Sequence, residues 1–322
     1  MAIIPISKNV KTITKTPEAT LEKITLGNLT WVNIEKPSDL EMEHLADNYP
    51  FHPLDLDDVL SKRQRPKIDE YRDYLFFVFH FPVYNKIEKL LMPSQLSVFV
   101  GADYIITLHA GNLKPLSKLF RECDIDLESR KEYLSHGPGY LLYRIIDRLV
   151  DYCQPIVSKI LDNMDTIEDE IFTARRSGTV REISILRRDI ITFRRTIWPM
   201  RAVIASLEPK LKRYTDQDMN VYFGDLTDHV DKIWDGLDET KEVIEGLSST
   251  FDSMSYNNYN SGIRTLTIFA TITLPALIVA SVYGMNIELP FQESEHPFII
   301  VMLITLGLSL LTAAILRRLK II

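Results

Sequence analysis

"TLTIFATITLPALIVASVYGMNI", residues 265–287, carries no charged side chain and follows directly on Arg264. A bilayer core takes roughly 20 helical residues to cross, so this run is long enough to span one. A second charge-free run extends from Pro297 to Leu316. Two such runs are unusual in a soluble core, and the expectation is a pair of transmembrane helices, with a buried soluble hairpin as the bland alternative. Between the runs lie Gly284, Asn286 and three carboxylates, Glu288, Glu293 and Glu295, with no lysine or arginine. Just past the second run the tail "RRLKII" supplies Arg317, Arg318 and Lys320. The positive-inside rule then puts the loop outside and both termini in the cytoplasm. The opening "MAIIPISKNVK" has too short an apolar stretch for a signal peptide, so the first 260 residues are expected not to be exported.

The net charge of −7 over 322 residues argues against a nucleic-acid partner, because phosphate binding needs a basic surface. Cys123 and Cys153 lack metal-ligand spacing and read as packing residues. The seven histidines are scattered, and His296 stands alone near the loop. "YLFFVFHFPVY" (74–84) reads as a strand and "LSVFVGADYIITLH" (96–109) as a hairpin turning at Gly101 to Asp103. "PSDLEMEHLADNY" and "PLDLDDVLSK" read as helices with acidic first turns. An α/β domain follows for residues 1–138. It shows neither a phosphate-cradling glycine loop nor a nucleophile elbow, so an enzyme is the weakest reading.

From Gly139 the pattern turns helical. One helix is predicted over 140–172 with Pro155 as a possible kink, and a second over about 180–208. A third runs from near Asp216 through the first apolar run to Tyr283, on the order of 100 Å if Gly246 and Gly262 do not bend it. The organisation expected is therefore helices at 139–213, a stalk helix at 214–283 continuous with the first span, an external loop at 284–296, the second span at 297–316 and a basic tail at 317–322. Residues 174–213 hold eleven Lys or Arg against three acids, whereas 214–256 hold eleven acids against two Lys. Asp225, Asp228, Asp231, Asp235, Asp238, Glu242 and Glu245 recur at spacings of three or four, which is one helix face. That face reads as a complement to the basic helix or a solvated surface, and alternatively as a reservoir raising local divalent-cation concentration. The two readings are compatible.

Stepping by three and four gives Asn260, Ile263, Thr267, Ala270, Leu274, Leu277, Ser281 and Gly284, the 3.5-residue period of a helical-bundle seam. Its amide and hydroxyl groups suit water or a hydrated ion, and the apolar stretch between them suits a gate that works by dewetting. Simple helix packing is the plain alternative at any single position.

Tyr283-Gly284-Met285-Asn286 at the end of the first run resembles the signature of the CorA magnesium-transport family. The preceding "LTIFATITLPALIVASV", the segments "RTIWPMR" (195–201), "FHPLDLDDVL" (51–60) and "QRPKI" (64–68), and the basic tail are similar to the family's as well. The resemblance implies a funnel-shaped homopentamer in the cell (inner) membrane, with a cytoplasmic α/β domain, long stalk helices and two C-terminal spans. It implies a channel for divalent cations, Mg2+ and also Co2+ or Ni2+, with no cofactor beyond Mg2+ as cargo and possible regulator. Gly284, Met285 and Asn286 would form the filter. Mg2+ sheds its water reluctantly, and a ring of Asn286 amides can hold the hydrated ion without stripping it. Asn286 can also serve as a helix C-cap, and Gly284 allows a close approach or a left-handed turn.

Three departures from the family pattern stand out. "IELPFQESEHP" replaces the usual Met-Pro-Glu-Leu stretch after the signature, with Glu288 as a stand-in acid. Leu277 sits where the family has a pore-lining Thr. Asn85 and Ser249 occupy the positions of the family's paired regulatory aspartates, so that site is expected to be weak or absent, with Asp252 or the acidic stripe sensing Mg2+ if sensing persists. Zinc-transporting relatives commonly carry Ile in place of Met285, which favours magnesium. A different ion in the same fold, or a membrane-tethered sensor without conduction, are the alternatives.

Overall fold

In a computed structural model, residues 21–61, 64–173, 179–215, 218–285, 290–291 and 295–319 are described. The chain divides into two compact units, Met1–Glu245 and Gly246–Ile322.

The first unit is built on a six-stranded sheet. Its strands are β1 (Glu22–Leu26), β2 (Leu29–Glu35), β3 (Lys67–Glu70), β4 (Leu75–Asn85), β5 (Leu90–Val100) and β6 (Tyr104–His109), in the order β1-β2-β6-β5-β4-β3. β2 and β6 pair in parallel and the other neighbours are antiparallel. Alternation along the strands puts Val32, Ile34, Phe76, Val78, Phe99, Ile106 and Leu108 on one face. There they bury against Met42 and Leu45 of α1 (Asp39–Asn48), Phe51, and Leu56 and Val59 of α2 (Pro53–Leu60). α1 starts with a capping box in which the Glu41 carboxylate accepts from the Ser38 backbone N–H at 2.9 Å.

The remaining helices of this unit are α3 (Lys114–Ile125), α4 (Leu127–Leu134), α5 (Gly137–Asp151), α6 (Cys153–Phe172), α7 (Thr179–Ala205), the short α8 (Leu207–Leu211) and the first part of α9 (Asn220–Tyr283). α3 meets the sheet through Phe120, edge-on to Trp31 at 4.9 Å, and the Trp31 indole N–H donates to Thr107 at 3.1 Å. α7 packs on β4 and β5.

Beyond Phe79 and Leu96 the β4–β5 pair runs on as a two-stranded ribbon, because β3 reaches only to Val78 and β6 only to Leu96. Pro82 stands opposite Pro93 in this ribbon. Both lack an N–H, so they fit a pair whose amides would point outward rather than across the ladder. Two other outward amides are taken by α7: His80 N–H points at the Met200 sulfur at 3.4 Å, and Leu91 N–H donates to the Asp189 carboxylate at 2.8 Å. The ribbon's turn is held by Asn85, whose side-chain oxygen accepts from Ile87 N–H at 2.9 Å and Glu88 N–H at 3.3 Å.

The strands and helices expected near 37–62, 74–84 and 96–109 are present, whereas β1, β2 and β3 carry weaker signals. The helix predicted as one piece over 140–172 is two. α5 ends at Asp151 and α6 begins at Cys153, because Pro155 has no N–H for Asp151 and clashes with the carbonyl four residues back. Within α6 it occupies the first turn, where an N–H has no intrahelical partner. The helix predicted over 180–208 ends at Ala205, with Pro209 absorbed into α8. The stalk helix starts at Asn220 rather than near 216 and runs through Gly246, Gly262 and Pro275 without a break.

In the second unit α9 continues to Tyr283, and α10 (Pro297–Arg318) follows. Both are long and apolar enough to cross a membrane, and their apolar windows are not buried by the chain itself. Leu266 and Phe269 are 69% exposed and Phe298 is 74% exposed. A contiguous apolar surface of this kind marks a lipid or protein interface.

Candidate functional site

α9 carries two different surfaces in the second unit. Ile268, Thr271, Ile272, Pro275, Ala276, Val279 and Tyr283 are half-buried, at spacings of one, three and four. α10, the other apolar helix of this unit, has a matching half-buried stripe at Val301, Thr305, Ser309, Thr312 and Leu316. The predicted seam is elsewhere: Asn260, Ile263, Thr267, Ala270, Leu274, Leu277 and Ser281 are all exposed. At 3.6 residues per turn the two α9 stripes lie on opposite sides of the helix. The seam mixes small or polar side chains, Asn260, Thr267, Ala270 and Ser281, with the branched apolar Ile263, Leu274 and Leu277, and it contains no titratable group.

At the end of α9, Gly284 N–H still donates to the Ala280 carbonyl at 3.0 Å and Met285 N–H to Val282 at 3.1 Å. Gly284 is not among the residues of positive φ, so the left-handed turn suggested for it is not made. The helix simply runs on into its last hydrogen bonds there. A Cβ at Gly284 would meet the Ala280 carbonyl oxygen at 3.2 Å. Met285 is 54% exposed. The Tyr283 hydroxyl donates to the Pro290 carbonyl at 3.0 Å, tying the helix end to the residues that follow. Asn286, Glu288, Glu293 and Lys320 lie outside the described residues. Glu295 is exposed, as are Arg317 and Arg318 in the last turn of α10, where positive charge suits the helix dipole.

The acidic stripe resolves into two sets. Asp231, Asp238 and Glu245 pair with Arg201 at 2.5 Å, with Arg194, and with Arg187 at 3.8 Å. Each set of three is spaced by seven residues and the two run in opposite senses, so a single antiparallel register matches all three pairs. Trp198 and Trp234 lie beside the ladder with ring centres 4.6 Å apart and planes tilted by 45°, and Arg194 lies over Trp234 at 4.8 Å. Asp228, Asp235 and Glu242 are exposed and make no ion pair among the described residues. The complementary-face reading thus holds for three of the seven acids; Asp228, Asp235 and Glu242 face solvent, and Asp225, outside both sets, lies 3.7 Å from His229 of its own helix.

Asn85 spends its side chain on the ribbon turn, with its amide nitrogen 3.3 Å from the Met92 sulfur. The Ser249 carbonyl accepts from the Ser253 hydroxyl at 2.9 Å, and Asp252 is exposed. A triad of Asp55, Asp58 and Asp69 brings three carboxylates together. Lys67 occupies it, 2.6 Å from Asp58 and also paired with Asp69, and the Tyr74 hydroxyl donates to Asp55 at 2.7 Å. Burial raises the Asp55 carboxyl above the usual range, and the tyrosine hydroxyls partly offset that. Cys123 and Cys153 are buried, and burial pushes the Cys123 thiol up to about 12.

A sheet-based unit whose last helix continues into an apolar run, followed by a second apolar helix, defines a two-span membrane protein with a large extramembrane domain. The family model for CorA-like Mg2+ transporter proteins matches residues 27–318. The YfjQ protein of Bacillus subtilis is 31% identical over 266 residues, covering 83% of this chain and 80% of its own length. The cobalt/magnesium transport protein CorA of Thermotoga maritima is 30% identical over 269 residues, covering 80% and 73%. The complete structure of the CorA magnesium transporter of Methanocaldococcus jannaschii superposes with a TM-score of 0.77 at 22% identity, over 92% of this chain and 93% of that one. The chain belongs to the CorA family of divalent metal ion transporters.

Proposed function

We propose that the chain forms a homopentameric Mg2+ channel in the cell (inner) membrane, with both termini cytoplasmic, and that it also passes Co2+ or Ni2+. Five copies of α9 would surround the path, each presenting the seam from Asn260 to Ser281. α10 would pack outside. The supporting observation is that the seam is the side of α9 opposite its half-buried stripe, and it is exposed along its whole length. In a bilayer a row holding Asn260, Thr267 and Ser281 suits water or another helix better than lipid. The absence of titratable groups along it suits an ion that moves with its water shell.

Asn286, beyond the last turn of α9, would form the filter with Gly284 and Met285. A neutral amide ring accepts hydrogen bonds from the ion's waters and releases the ion again, whereas a carboxylate ring would hold Mg2+ directly. Glu288, Glu293 and Glu295 would raise the cation concentration at the outer mouth. Leu274 and Leu277 would make the narrow apolar segment, and the branched Leu277 offers no second ligating ring. Asp252 or the unpaired acids Asp228, Asp235 and Glu242 would carry any cytoplasmic Mg2+ sensing, since neither Asn85 nor Ser249 is a carboxylate.

Purified protein in liposomes with an internal Mg2+ indicator tests this. Flux should be present for the wild-type chain and fall by at least about tenfold in Asn286→Ala, because the filter is needed for each transported ion. Folded pentamer without flux would instead support a tethered sensor. Competition among Mg2+, Co2+, Ni2+ and Zn2+ in the same assay ranks the ions.

A further inference from the structure

α5 and α9 are held side by side in the first unit by a cluster of rings. Tyr143 lies 5.1 Å from Tyr222 and 5.9 Å from Phe223, and Tyr140 lies 5.9 Å from Tyr222. Asp147 and Asp151 follow Tyr143 at successive steps of four along α5, which keeps all three on one face. On α9, Asp225 and His229 are likewise four apart and follow the aromatic pair. Two i,i+4 pairs from neighbouring helices thereby converge. One oxygen each of Asp147 and Asp151 and a ring nitrogen of His229 all lie within 4.8 Å of one another. His229 Nε2 is also 3.7 Å from the Asp225 carboxylate.

The charge inventory of this cluster is unbalanced. It contains three carboxylates, and the arginine that reaches it, Arg144, is 3.4 Å from Asp147 and shared with Glu132 at 3.8 Å. Arg148, the next basic residue of α5, is turned away to Glu122 at 3.0 Å. Asp151 makes no ion pair among the described residues. The triad of Asp55, Asp58 and Asp69 has as many carboxylates but is filled by Lys67. No lysine does this for Asp147 and Asp151, so two like charges are set together beside an imidazole without a full counter-charge. Asp147 is half-buried and Asp151 exposed, so water screens part of this repulsion and a cation would relieve the rest.

We infer that Asp147, Asp151 and His229 bind one divalent cation of the Zn2+, Co2+ or Ni2+ class, bridging α5 and α9. With bonds near 2.1 Å, ligand atoms on one ion are at most about 4.2 Å apart, so small rotations of side chains at partly exposed positions close the site. Two carboxylates and an imidazole suit borderline metals, whereas Mg2+ prefers oxygen ligands in an octahedron and keeps its water. Asp225 is placed to orient the imidazole, as carboxylates commonly do behind a metal-bound histidine. Both helices are rigid supports, with Leu142, Ile146 and Leu149 of α5 and Leu226 and Val230 of α9 fully buried beneath them. Because α9 is the helix that continues to Tyr283, an ion here fastens the cytoplasmic start of that helix to α5. The inference does not rest on the transport reading.

The test is Zn2+ binding to the full-length chain in detergent, stripped by chelator and dialysed with Mg2+ in large excess to fill sites made of oxygen alone. Co2+ absorption in the visible reports nitrogen ligation in parallel. The wild-type chain should hold one Zn2+ per copy that Mg2+ does not displace. His229→Gln and Asp151→Asn should each weaken that binding by at least about tenfold. Both side chains are at least partly exposed, and unchanged melting without metal checks that the variants are folded. Variants that bind Zn2+ as the wild type does, or displacement of the Zn2+ by Mg2+, would overturn the assignment. Loss of flux in the liposome assay leaves this measurement unaffected.

Discussion

α9 carries two seven-residue repeats that are equally regular and oppositely provided for. In its first part Asp231, Asp238 and Glu245 meet Arg201, Arg194 and Arg187 of the same chain. In its second part Asn260, Thr267, Leu274 and Ser281, interleaved with Ile263, Ala270, Leu277 and Gly284, are all exposed among the described residues. The same helical period therefore specifies an internal contact in one case and leaves an open face in the other. What separates them is chemistry. Charged rungs require a partner of opposite sign, which α7 supplies, whereas small and apolar rungs suit a like surface, which in the proposed assembly further copies of the same helix would supply.

The strongest way to break this comparison is a charge in the second repeat. Leu274→Arg places a guanidinium in the apolar part of the seam, at a cost of roughly 2.5–3.5 kcal/mol per copy on insertion scales. The expected outcome is loss of the oligomer on size-exclusion in detergent and loss of Mg2+ flux. A variant that assembles and conducts normally would show that Leu274 does not lie on a packed, ion-lining face.

Acid separates the two regions next. His109 is almost fully buried, its Nδ1 accepts from Gly111 N–H at 3.1 Å, and burial holds its pKa down at about 4, only partly opposed by nearby Glu35. Its folded value lies below the unfolded value of about 6.5, so the unfolded chain binds the extra proton between those values. Stability from this residue is complete above about pH 6.5 and is lost as pH falls toward 4, by about 3 kcal/mol. Denaturant melts at pH 7 and 4.5 should show the sheet unit weakening, with a smaller change in His109→Asn, while the apolar helices, free of titratable groups along the seam, stay helical by circular dichroism.

A smaller effect sharpens the first repeat. Arg194→Ala and Asp238→Ala, with the double variant, should give a coupling of about 1 kcal/mol, since the pair is partly exposed. The cation–π contact with Trp234 adds a further loss of about 0.5–1 kcal/mol to Arg194→Ala alone. Smallest of all, Asp228→Asn and Asp235→Asn should change stability by less than about 0.5 kcal/mol, because both side chains are exposed and unpaired.

Much of this was legible in the sequence for physical reasons. Two charge-free runs announce themselves by length, and β4 and the β5–β6 hairpin by aromatic and branched residues between turn signals. β2 was hidden because "LTWVNIE" buries both faces and loses the alternation that marks a strand. β5 was shortened because Pro93 reads as a strand breaker unless the neighbouring edge is known to be free. The seam was visible as a period, and the opposite charges of 174–213 and 214–256 announced a pairing. Their register was not visible, since it depends on where α7 and α9 pass each other. The meeting of Asp147 and Asp151 with His229 was invisible for the same reason: their positions are some 80 residues apart, and only the aromatic contacts between two helices bring them together.

The proline pair in the β4–β5 ribbon has a consequence for the proposed assembly of several copies. A hairpin that extends past its sheet is a ready template on which an identical hairpin from a neighbour can zip. Here Pro82 and Pro93 blank out one donor on each margin, and Met200 and Asp189 occupy two more. In that assembly, copies could crowd around a shared axis without their ribbons fusing into a continuous sheet.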